Sequence, residues 1–479
     1  MQDIPQVIKA DWHHRDFVRT ISRSILGSGG KKTALILLPT HRSHADYLLL
    51  SFIFFGLDLP VPTIAAGDNL NVPLLGWLLS RAGAFFIRRA LQSPRYRLVM
   101  QGYLFLLCKS GVPIEFFIEG GRSRRGCVGR PKVGLLSMII QMIRDGDLHD
   151  ALLVPLSIDY DQVPEGNGFA NEVLGTGKKQ QESLFGTVRA LVEWMLWGKR
   201  GGAVTATLVL SQDNALAHEV GRVVVDAQRD CALVGSGALA ACAMLMTPKP
   251  DLLAIQSRAA EVKQLLVSLG HGNRIPPQES DFTETVANLQ RGASTATSSR
   301  TNRICLRYAA APVVVRLLPS CTLALEGDER MLGWLSGMYD IEVPLSLAAA
   351  ASSTTTLPSL QQGLIRLIAP MVLILESALQ CVSDRTAWHV GETKSETDLV
   401  TLVISKLAGV DLAELSAPLE ISAAFRACVI RGVLKRTNIR RGKDTLAAYM
   451  LVPTSTGELE LGTTALQRAK QLVLRQSII

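Results

Sequence analysis

Residues 34–55 read ALILLPTHRSHADYLLLSFIFF, which is a short apolar run, a polar turn and a second, longer apolar run. The first run, 34–38, is aliphatic and has the length of a buried strand. The second is long enough for a helix, and the polar residues between the two suit a turn. The stretch therefore predicts a strand, a turn and a helix in succession, which is the building unit of α/β domains.

Outward from this unit, short apolar runs alternate with longer amphipathic stretches over residues 31–212. The predicted strands are 34–38, 61–65, 84–87, 114–118, 152–158 and 204–210. We expect an α/β fold class with a central, mainly parallel or mixed sheet flanked by helices. Open sheets of this kind bind ligands in the loops that follow their strands. The chemistry is therefore expected in those loops.

The chain divides into three predicted parts. Residues 1–30 are expected to form an N-terminal helical segment and residues 31–245 the α/β domain. Residues 246–479 are rich in Ala, Leu and Val and predict a mostly helical C-terminal region. Low-complexity stretches at 292–300 and 348–356 predict loops within that region.

Positive charge is concentrated in one segment of the chain. The formal net charge is +8, yet residues 81–134 alone carry eleven basic and two acidic side chains. A localised surplus of this kind points to an anionic partner such as phosphate groups, nucleic acid or a lipid surface. With 48% apolar and 19% charged residues, the chain is too apolar for intrinsic disorder.

The apolar composition does not predict a spanning helix. The mean hydropathy is +0.23, but the longest apolar candidates, 47–56 and 364–375, are shorter than the ~18 residues that a span requires. The eight cysteines occur singly, without a disulfide or zinc pattern, which favours a reducing compartment. The first residues lack the apolar core of a secretory signal. We expect a chain that associates with membranes, if at all, at the surface.

The turn after the first strand contains a candidate catalytic pair, His41 and Asp46. Two helical residues five apart do not share a face, but a histidine in the turn can be reached by an aspartate in the first helical turn. Such a carboxylate orients the imidazole, and the imidazole can then take a proton from a substrate hydroxyl. Two other interpretations are a helix cap and a metal site of His41, His44 and Asp46, the latter without further ligands nearby.

Two later strands also end in residues suited to phosphate. The strand 84–87 runs into Arg88, and the strand 114–118 runs into the sequence EGGRSRRG at 119–126. Glycines allow close backbone approach, and arginines supply a planar, charged fork. An ordinary surface arginine pair and a nucleic-acid contact are the alternatives, although the loop lacks the stacking aromatics of single-strand binders.

These segments together resemble the four sequence blocks of the glycerolipid acyltransferase superfamily. The blocks are HxxxxD at His41 and Asp46, GxFFIRR at 83–89, FxEGxRSR at 117–124, and a proline-containing strand at 154–157. The sequences LLPTHRSHADYLLLSF, GAFFIRR and FIEGGRSRRG are similar to those of the branch of the superfamily that acylates glycerol 3-phosphate or dihydroxyacetone phosphate. The EGG triplet at 119–121 resembles the bacterial-type glycerol-3-phosphate enzymes. The resemblance is strong over 35–160, fades towards 245, and identifies 31–245 as an acyltransferase domain.

The resemblance implies roles for individual residues. His41 would be the general base that deprotonates the sn-1 hydroxyl of glycerol 3-phosphate, with Asp46 holding the ring. The remaining implied substrate-binding residues are Arg88, Arg122, Arg124 and Ser123 in the basic blocks, Glu119 and Gly120 beside them, and Pro155 on the acyl-donor side. The donor would be acyl-CoA or acyl carrier protein, and the reaction would need no cofactor and no metal.

Several alternatives remain open at this point. Dihydroxyacetone phosphate is the rival acceptor, and a non-catalytic protein that binds anionic lipid is the rival of another class. The expected partners are glycerol 3-phosphate, an acyl thioester and, peripherally, a membrane surface, with no nucleic acid. The active site would face a reducing compartment. The apolar run 48–55 is interpreted as a buried core helix in preference to a membrane contact.

Overall fold

The computed structural model describes most of the chain. The described residues are 7–8, 33–71, 73, 75–88, 93–160, 163, 169–170, 173–174, 202–206, 208–210, 217–248, 251–275, 282–294, 299–339, 358–384, 393–407, 418–431, 433–441, 444–452 and 456–475. Most of the predicted helical segment 1–30, Arg89 and the low-complexity stretch 348–356 lie outside them.

Eleven strands and fourteen α-helices are described. The strands are β1 (Val7–Ile8), β2 (Ala34–Pro39), β3 (Thr63–Gly67), β4 (Ala84–Ile87), β5 (Ile114–Glu115), β6 (Ala151–Tyr160), β7 (Gly202–Ala206), β8 (Leu208–Leu210), β9 (Thr393–Ser395), β10 (Leu434–Arg441) and β11 (Asp444–Leu451). The helices are α1 (Asp46–Gly56), α2 (Leu75–Arg81), α3 (Pro94–Ser110), α4 (Gly134–Arg144), α5 (Ala217–Cys231), α6 (Ser236–Met246), α7 (Leu252–Leu266), α8 (Phe282–Ser294), α9 (Ser299–Ala324), α10 (Glu329–Met338), α11 (Pro358–Ser383), α12 (Glu396–Lys406), α13 (Pro418–Ile430) and α14 (Thr456–Arg475).

The central sheet has the order β1-β8-β6-β2-β5-β3-β4, and β7 lies beside β6. The five strands β6, β2, β5, β3 and β4 pair in parallel. β7 and β8 pair with β6 in the antiparallel sense. The predicted α/β class with a mixed sheet is confirmed. The predicted single strand 204–210 is two strands, and residues 116–118 leave β5 to begin a turn, in which the Gly120 N–H donates to the Phe117 carbonyl.

Helices cover both faces of this sheet because successive residues of a strand point to opposite sides. Leu35 and Leu37 of β2 pack on one face with Leu50 and Phe54 of α1. On the other face, β2 packs with helices α3, α4 and α5. The carboxyl ends of the parallel strands, where the candidate loops begin, therefore lie between two helical layers.

A second core is formed by the C-terminal helices. It begins at Val234 and includes α6, α7, α9, α10, α11 and α13, so α6 packs with the helical region although the sequence boundary was placed after residue 245. The mostly helical character of this region is confirmed. It also contains a small antiparallel sheet with the order β10-β11-β9.

Two described helices are long and apolar enough to cross a membrane by length and composition, 302–324 within α9 and 360–383 within α11. The bent pair α5 and α6 would count as a third if it were one span. The apolar windows of the two long helices are 72% and 89% buried inside the protein. The expectation that the chain contains no helix long and apolar enough to cross a membrane is therefore wrong. A helix buried in a protein core can be as apolar as one that crosses a bilayer.

Candidate active site

The turn after β2 places His41 beside Asp46. Thr40 still belongs to the sheet, since its N–H donates to the Leu156 carbonyl and its Oγ1 accepts from the N–H of Ile158, both at 2.9 Å. α1 then begins at Asp46, and the His41 Nδ1 lies 3.0 Å from Asp46 Oδ2. The five-residue spacing therefore brings the two side chains together because His41 is in the turn and not in the helix.

Asp46 is fully buried and its carboxylate is held from several sides. Oδ2 also accepts the backbone N–H groups of Arg42 (2.7 Å) and Ser43 (2.9 Å). Oδ1 accepts the hydroxyl of Tyr160 at 2.7 Å. These bonds fix the carboxylate against the turn. With His41 Nδ1 directed to Asp46, its Nε2 is the ring nitrogen left for a substrate.

The loop after β5 packs directly on His41. The Phe117 ring stacks on the imidazole with centroids 3.9 Å apart. The Ser123 N–H donates to the His41 carbonyl at 2.7 Å, and the His41 N–H donates to Glu119 Oε1 at 2.9 Å. The first and third sequence blocks are thus tied together through the backbone of the histidine itself.

Glu119 is a connecting residue in this arrangement. Its second oxygen, Oε2, accepts the Gly129 N–H at 3.2 Å, so the side chain spans from the histidine turn to the far side of its own loop. Burial raises the pKa of Glu119 to about 7, against the two backbone N–H groups and Arg42, which favour the charged form. Gly120 has a φ of +61°, and a Cβ there would lie 2.7 Å from Lys132 Cδ. These two residues shape the loop from within.

The candidate phosphate ligands follow two strands, β4 and β5, at the carboxyl end of the sheet. The guanidinium groups of Arg122 and Arg124 lie over the Phe169 ring, 5.1 and 4.5 Å from its centroid. Arg88 is exposed at the end of the edge strand β4, where its guanidinium lies over the Tyr96 ring.

Ser123 and Pro155 have structural surroundings. The Ser123 hydroxyl donates to the Cys127 carbonyl at 2.8 Å and so closes the loop on itself. Pro155 is buried within β6, opposite Leu38 of β2. Both lie next to the turn that contains His41. Ser123 belongs to the loop that packs on this turn, and Pro155 belongs to the strand beside β2.

Sequence reasoning missed an ion pair directly beneath the turn. Arg42 is buried and its Nη2 lies 3.2 Å from Asp159 Oδ1. Burial opposes the charge of Arg42, but Asp159, Tyr308, Glu119 and Asp46 outweigh it and raise its pKa. Asp159 and Tyr160 follow the predicted strand 152–158 directly, and their position at the carboxyl end of a parallel strand is the one sequence signal that could have found them.

The helical region also contacts the residues that follow the third block, which sequence reasoning did not foresee. A Cβ at Gly126 would lie 2.1 Å from the Tyr308 carbonyl oxygen, so the loop runs directly against α9. The Arg125 guanidinium lies over the ring of Tyr339, 5.2 Å from its centroid. The loop 119–129 is therefore held between the α/β domain and the C-terminal helices.

A second buried carboxyl group lies near the pair. Glu115 on β5 is fully buried, and among the described residues neither of its side-chain oxygens has a hydrogen-bond partner. Burial, with a smaller contribution from the charge of Asp46, raises its pKa well above the usual value. The described residues contain no cluster of three or more His, Cys, Asp or Glu side chains arranged to hold a metal ion.

Comparisons with known proteins match the part of the chain that contains this site. Residues 13–159 match the family model described as Acyltransferase. The chain is 44% identical over 158 residues to a glycerol-3-phosphate acyltransferase of Ectopseudomonas mendocina (33% of this chain, 19% of that protein). It is 45% identical over 152 residues to one of Pseudomonas fluorescens Pf-5 (32% and 18%). A Caenorhabditis elegans protein named as a probable mitochondrial glycerol-3-phosphate acyltransferase is 41% identical over 177 residues (36% and 24%).

The resemblance noted in the sequence is thereby confirmed for the segment with the four blocks. The chain spans about a fifth of the length of the bacterial relatives it matches. The matched segment ends near the end of β6, so it includes His41, Asp46 and the third block but none of the C-terminal helices.

Proposed function

We propose, from the acyltransferase domain of residues 13–159, that this chain transfers a fatty acyl group to the sn-1 hydroxyl of glycerol 3-phosphate. The product would be 1-acyl-glycerol 3-phosphate, the first intermediate of glycerophospholipid synthesis. The observation that carries the proposal is the His41–Asp46 pair, built into the turn after β2 and stacked against the basic third block.

The proposed chemistry uses His41 as a general base. The His41 Nε2 accepts the proton of the acceptor hydroxyl while the hydroxyl oxygen attacks the carbonyl carbon of the acyl thioester. The carbon–sulfur bond then breaks, and the histidine returns the proton to the leaving thiolate. Asp46 holds the ring and stabilises the imidazolium that forms in between. No cofactor and no metal are needed, because the thioester is already an activated acyl group.

Phosphate recognition is assigned to the basic loops. Arg122 and Arg124 follow Glu119 in the loop after β5, which is hydrogen-bonded to His41. Arg88 follows β4, which runs parallel to its neighbour β3, and so lies at the same carboxyl end of the sheet. The acceptor and a CoA donor are both polyanions, so a strongly basic segment next to the base favours their binding. The names of the relatives, both glycerol-3-phosphate acyltransferases, favour glycerol 3-phosphate over dihydroxyacetone phosphate.

Donor and location follow from the same chemistry. The donor is acyl-CoA or acyl carrier protein, and the product is an amphiphile that enters a bilayer. We therefore propose that the chain acts at a membrane surface, with its active site on a cytosolic or other reducing side.

The test is acyl transfer from palmitoyl-CoA by the native chain and by His41→Ala. The variant should lose about a thousandfold in kcat, since no other described group there can take the proton of the acceptor hydroxyl. His218→Ala, at an exposed position of α5, is the matched control and should keep native activity. Full activity in His41→Ala would exclude the mechanism, and binding of anionic lipid without transfer by the native chain would favour the non-catalytic alternative. Offering both acceptors together would decide between glycerol 3-phosphate and dihydroxyacetone phosphate.

A further inference from the structure

Arg42 is attached to the His41–Asp46 pair and to the end of β6 at the same time. It follows His41 in the turn, and its backbone N–H donates to Asp46 Oδ2 at 2.7 Å. Its side chain reaches β6, where Nη2 lies 3.2 Å from Asp159 Oδ1. Both side chains of this ion pair are buried, with 7% and 12% of their surfaces exposed. A displacement of Asp159 would therefore be passed to the backbone that holds Asp46.

Asp159 is also bonded to the residues between α5 and α6. Its Oδ2 accepts the backbone N–H of Leu233 and the hydroxyl of Ser157, each at 3.0 Å. Leu233 lies in the segment 232–235, which we term the connection. α5, before the connection, packs on the sheet, and α6, after it, belongs to the core of the C-terminal helices. The Asp159 carboxylate thus joins the turn that contains His41 to the connection between these two parts of the chain.

The connection is held in turn by α9. Arg316 of α9 donates from Nη2 to the carbonyl oxygens of Arg229 (2.9 Å) and Ala232 (2.8 Å), at the end of α5 and the start of the connection. Burial lowers the pKa of Arg316, and Asp159 is the strongest of the charges that oppose this change. A series of contacts therefore runs from α9 through the connection and Asp159 to the turn of His41.

The two charges of the ion pair depend on each other because both are buried. Removal of one partner leaves the other charge in surroundings that solvate it poorly, whereas removal of both leaves two neutral groups. Without the carboxylate of Asp159, the Arg42 side chain would be drawn towards solvent or another acidic group. Its backbone N–H, which holds Asp46, would be displaced with it.

We propose that Arg42 and Asp159 are positioning residues for the proposed acyl transfer, and that their ion pair makes the alignment of His41 and Asp46 depend on the docked C-terminal helices. The inference rests on the proposed function, since it takes His41 as the general base. It adds two residues that act through the pair and a route by which the helical region affects the reaction. Because both act on the base and not on substrate binding, their loss should lower kcat and leave both KM values near native.

The test is a double-mutant cycle on the full chain, with kcat from the palmitoyl-CoA assay expressed per folded molecule and the folded fraction taken from circular dichroism. Asp159→Asn and Arg42→Gln should each lower kcat by about tenfold to a hundredfold, because small displacements of a catalytic group have effects of this size. The double variant should lose no more than either single variant, since the two residues act as one ion pair. A purely structural ion pair would change the urea midpoint and leave kcat per folded molecule unchanged.

The matched control is the ion pair of Arg258 and Glu261 on α7, which is also largely buried and belongs to the helical region. Arg258→Gln and Glu261→Gln should keep native kcat, whatever they do to the urea midpoint. Native kcat in folded Asp159→Asn would overturn the proposal. Losses that multiply in the double variant, or an equal loss of kcat in the control variants, would overturn it as well.

The link to α9 is tested by Arg316→Gln, which removes the bonds to the connection and no group of the turn. This variant should lower kcat by a smaller factor, about threefold to tenfold, because its effect passes through Asp159. Arg366→Gln removes a half-buried guanidinium from α11 and is the control, which should keep native kcat. Native kcat in Arg316→Gln would overturn the dependence on the docked helices.

Backbone amide exchange separates this inference from the proposed function, because it needs no substrate. The N–H groups of Arg42 and Ser43 both donate to Asp46 in the native chain. Asp159→Asn should raise their exchange rates by about tenfold or more. If the native chain transfers no acyl group but exchange depends on Asp159, the proposed function fails and the alignment by the ion pair stands. If it transfers acyl groups and Asp159→Asn changes neither kcat nor exchange, the proposed function stands and the inference fails.

Discussion

Tyr160 is the residue through which β6 contacts the His41–Asp46 pair. It lies at the last position of the strand, and its hydroxyl donates to Asp46 Oδ1 at 2.7 Å, on the oxygen that His41 does not use. Because the other oxygen of Asp46 is held by the turn, the tyrosine fixes the plane of the carboxylate. In the proposed mechanism Tyr160 acts on substrate only through Asp46 and His41, which makes it a positioning residue.

We expect Tyr160→Phe to lower kcat and leave both KM values near native. A hydrogen bond to a charged group contributes about 2 kcal/mol, which corresponds to roughly a thirtyfold fall in kcat. Steady-state kinetics with glycerol 3-phosphate and palmitoyl-CoA measure this. Tyr449→Phe, in the small C-terminal sheet, is the control for loss of a buried hydroxyl. An unchanged kcat, or an increase in KM alone, would contradict the positioning role.

Glu119 gives the site a pH dependence of stability. Its pKa is about 7 in the folded protein against an ordinary 4.5, because burial penalises the charge. Its contribution to the free energy of unfolding is therefore fully present below about pH 4.5 and is lost as the pH rises to about 7. Between these values the unfolded chain releases the proton and the folded chain keeps it.

Glu119→Gln should reduce this dependence. The native free energy of unfolding should fall by up to about 3 kcal/mol more than that of the variant between about pH 4.5 and 7.5. Urea denaturation at a series of pH values measures the difference. Glu219→Gln, an exposed glutamate of α5, should keep the native profile. A Glu119→Gln profile parallel to the native one would show that this carboxyl does not titrate in the range.

At the scale of elements, the loop 119–129 depends on its contact with α9. Gly126 has a φ of +72°, and an added Cβ would lie 2.1 Å from the Tyr308 carbonyl oxygen. Gly121 in the same loop has no atom within 4 Å of the corresponding position. The two glycines therefore form a matched pair, one held between backbones and the other open.

Gly126→Ala should displace the loop and with it the arginines of the third block. We expect a loss of about 1–3 kcal/mol in the free energy of unfolding from the strained φ and the overlap with α9. The KM for glycerol 3-phosphate should rise more than the KM for the acyl donor. Gly121→Ala should resemble the native chain in both measurements. Equal effects of the two substitutions would show that contact with α9 does not position the loop.

The elements around the site could be predicted from sequence because each carries a local signal. The run 34–38, the polar turn and the helix after it differ in periodicity and polarity, and a histidine in such a turn is within reach of Asp46. The ion pair of Arg42 and Asp159 joins residues more than a hundred positions apart, and no local pattern contains it. The exposure of Phe52 on the outer face of α1 was missed for another reason, since a helix apolar on both sides has no amphipathic pattern to distinguish its faces.

At the scale of the molecule, the segment that matches the acyltransferase family is shorter than the part of the chain that surrounds the site. The match to the acyltransferase family ends at residue 159, yet the loop 119–129 packs against Tyr308 and Tyr339, far beyond it. Arg316 of α9 donates to the carbonyl oxygens of Arg229 and Ala232, which ties the end of α5 to the helical region. The C-terminal helices therefore support the site although the family resemblance does not include them.

This arrangement predicts that the α/β domain does not work alone. A fragment of residues 1–248 would expose the side of α6 that contains Leu239, Ala240 and Met246, all buried in the second core. It would also leave loop 119–129 without its contact to α9, so we expect it to aggregate and to show no acyl transfer. Size-exclusion chromatography and the palmitoyl-CoA assay, run beside the full chain, measure both effects. A monomeric fragment with native kcat would show that the helices serve some purpose other than holding the third block in place.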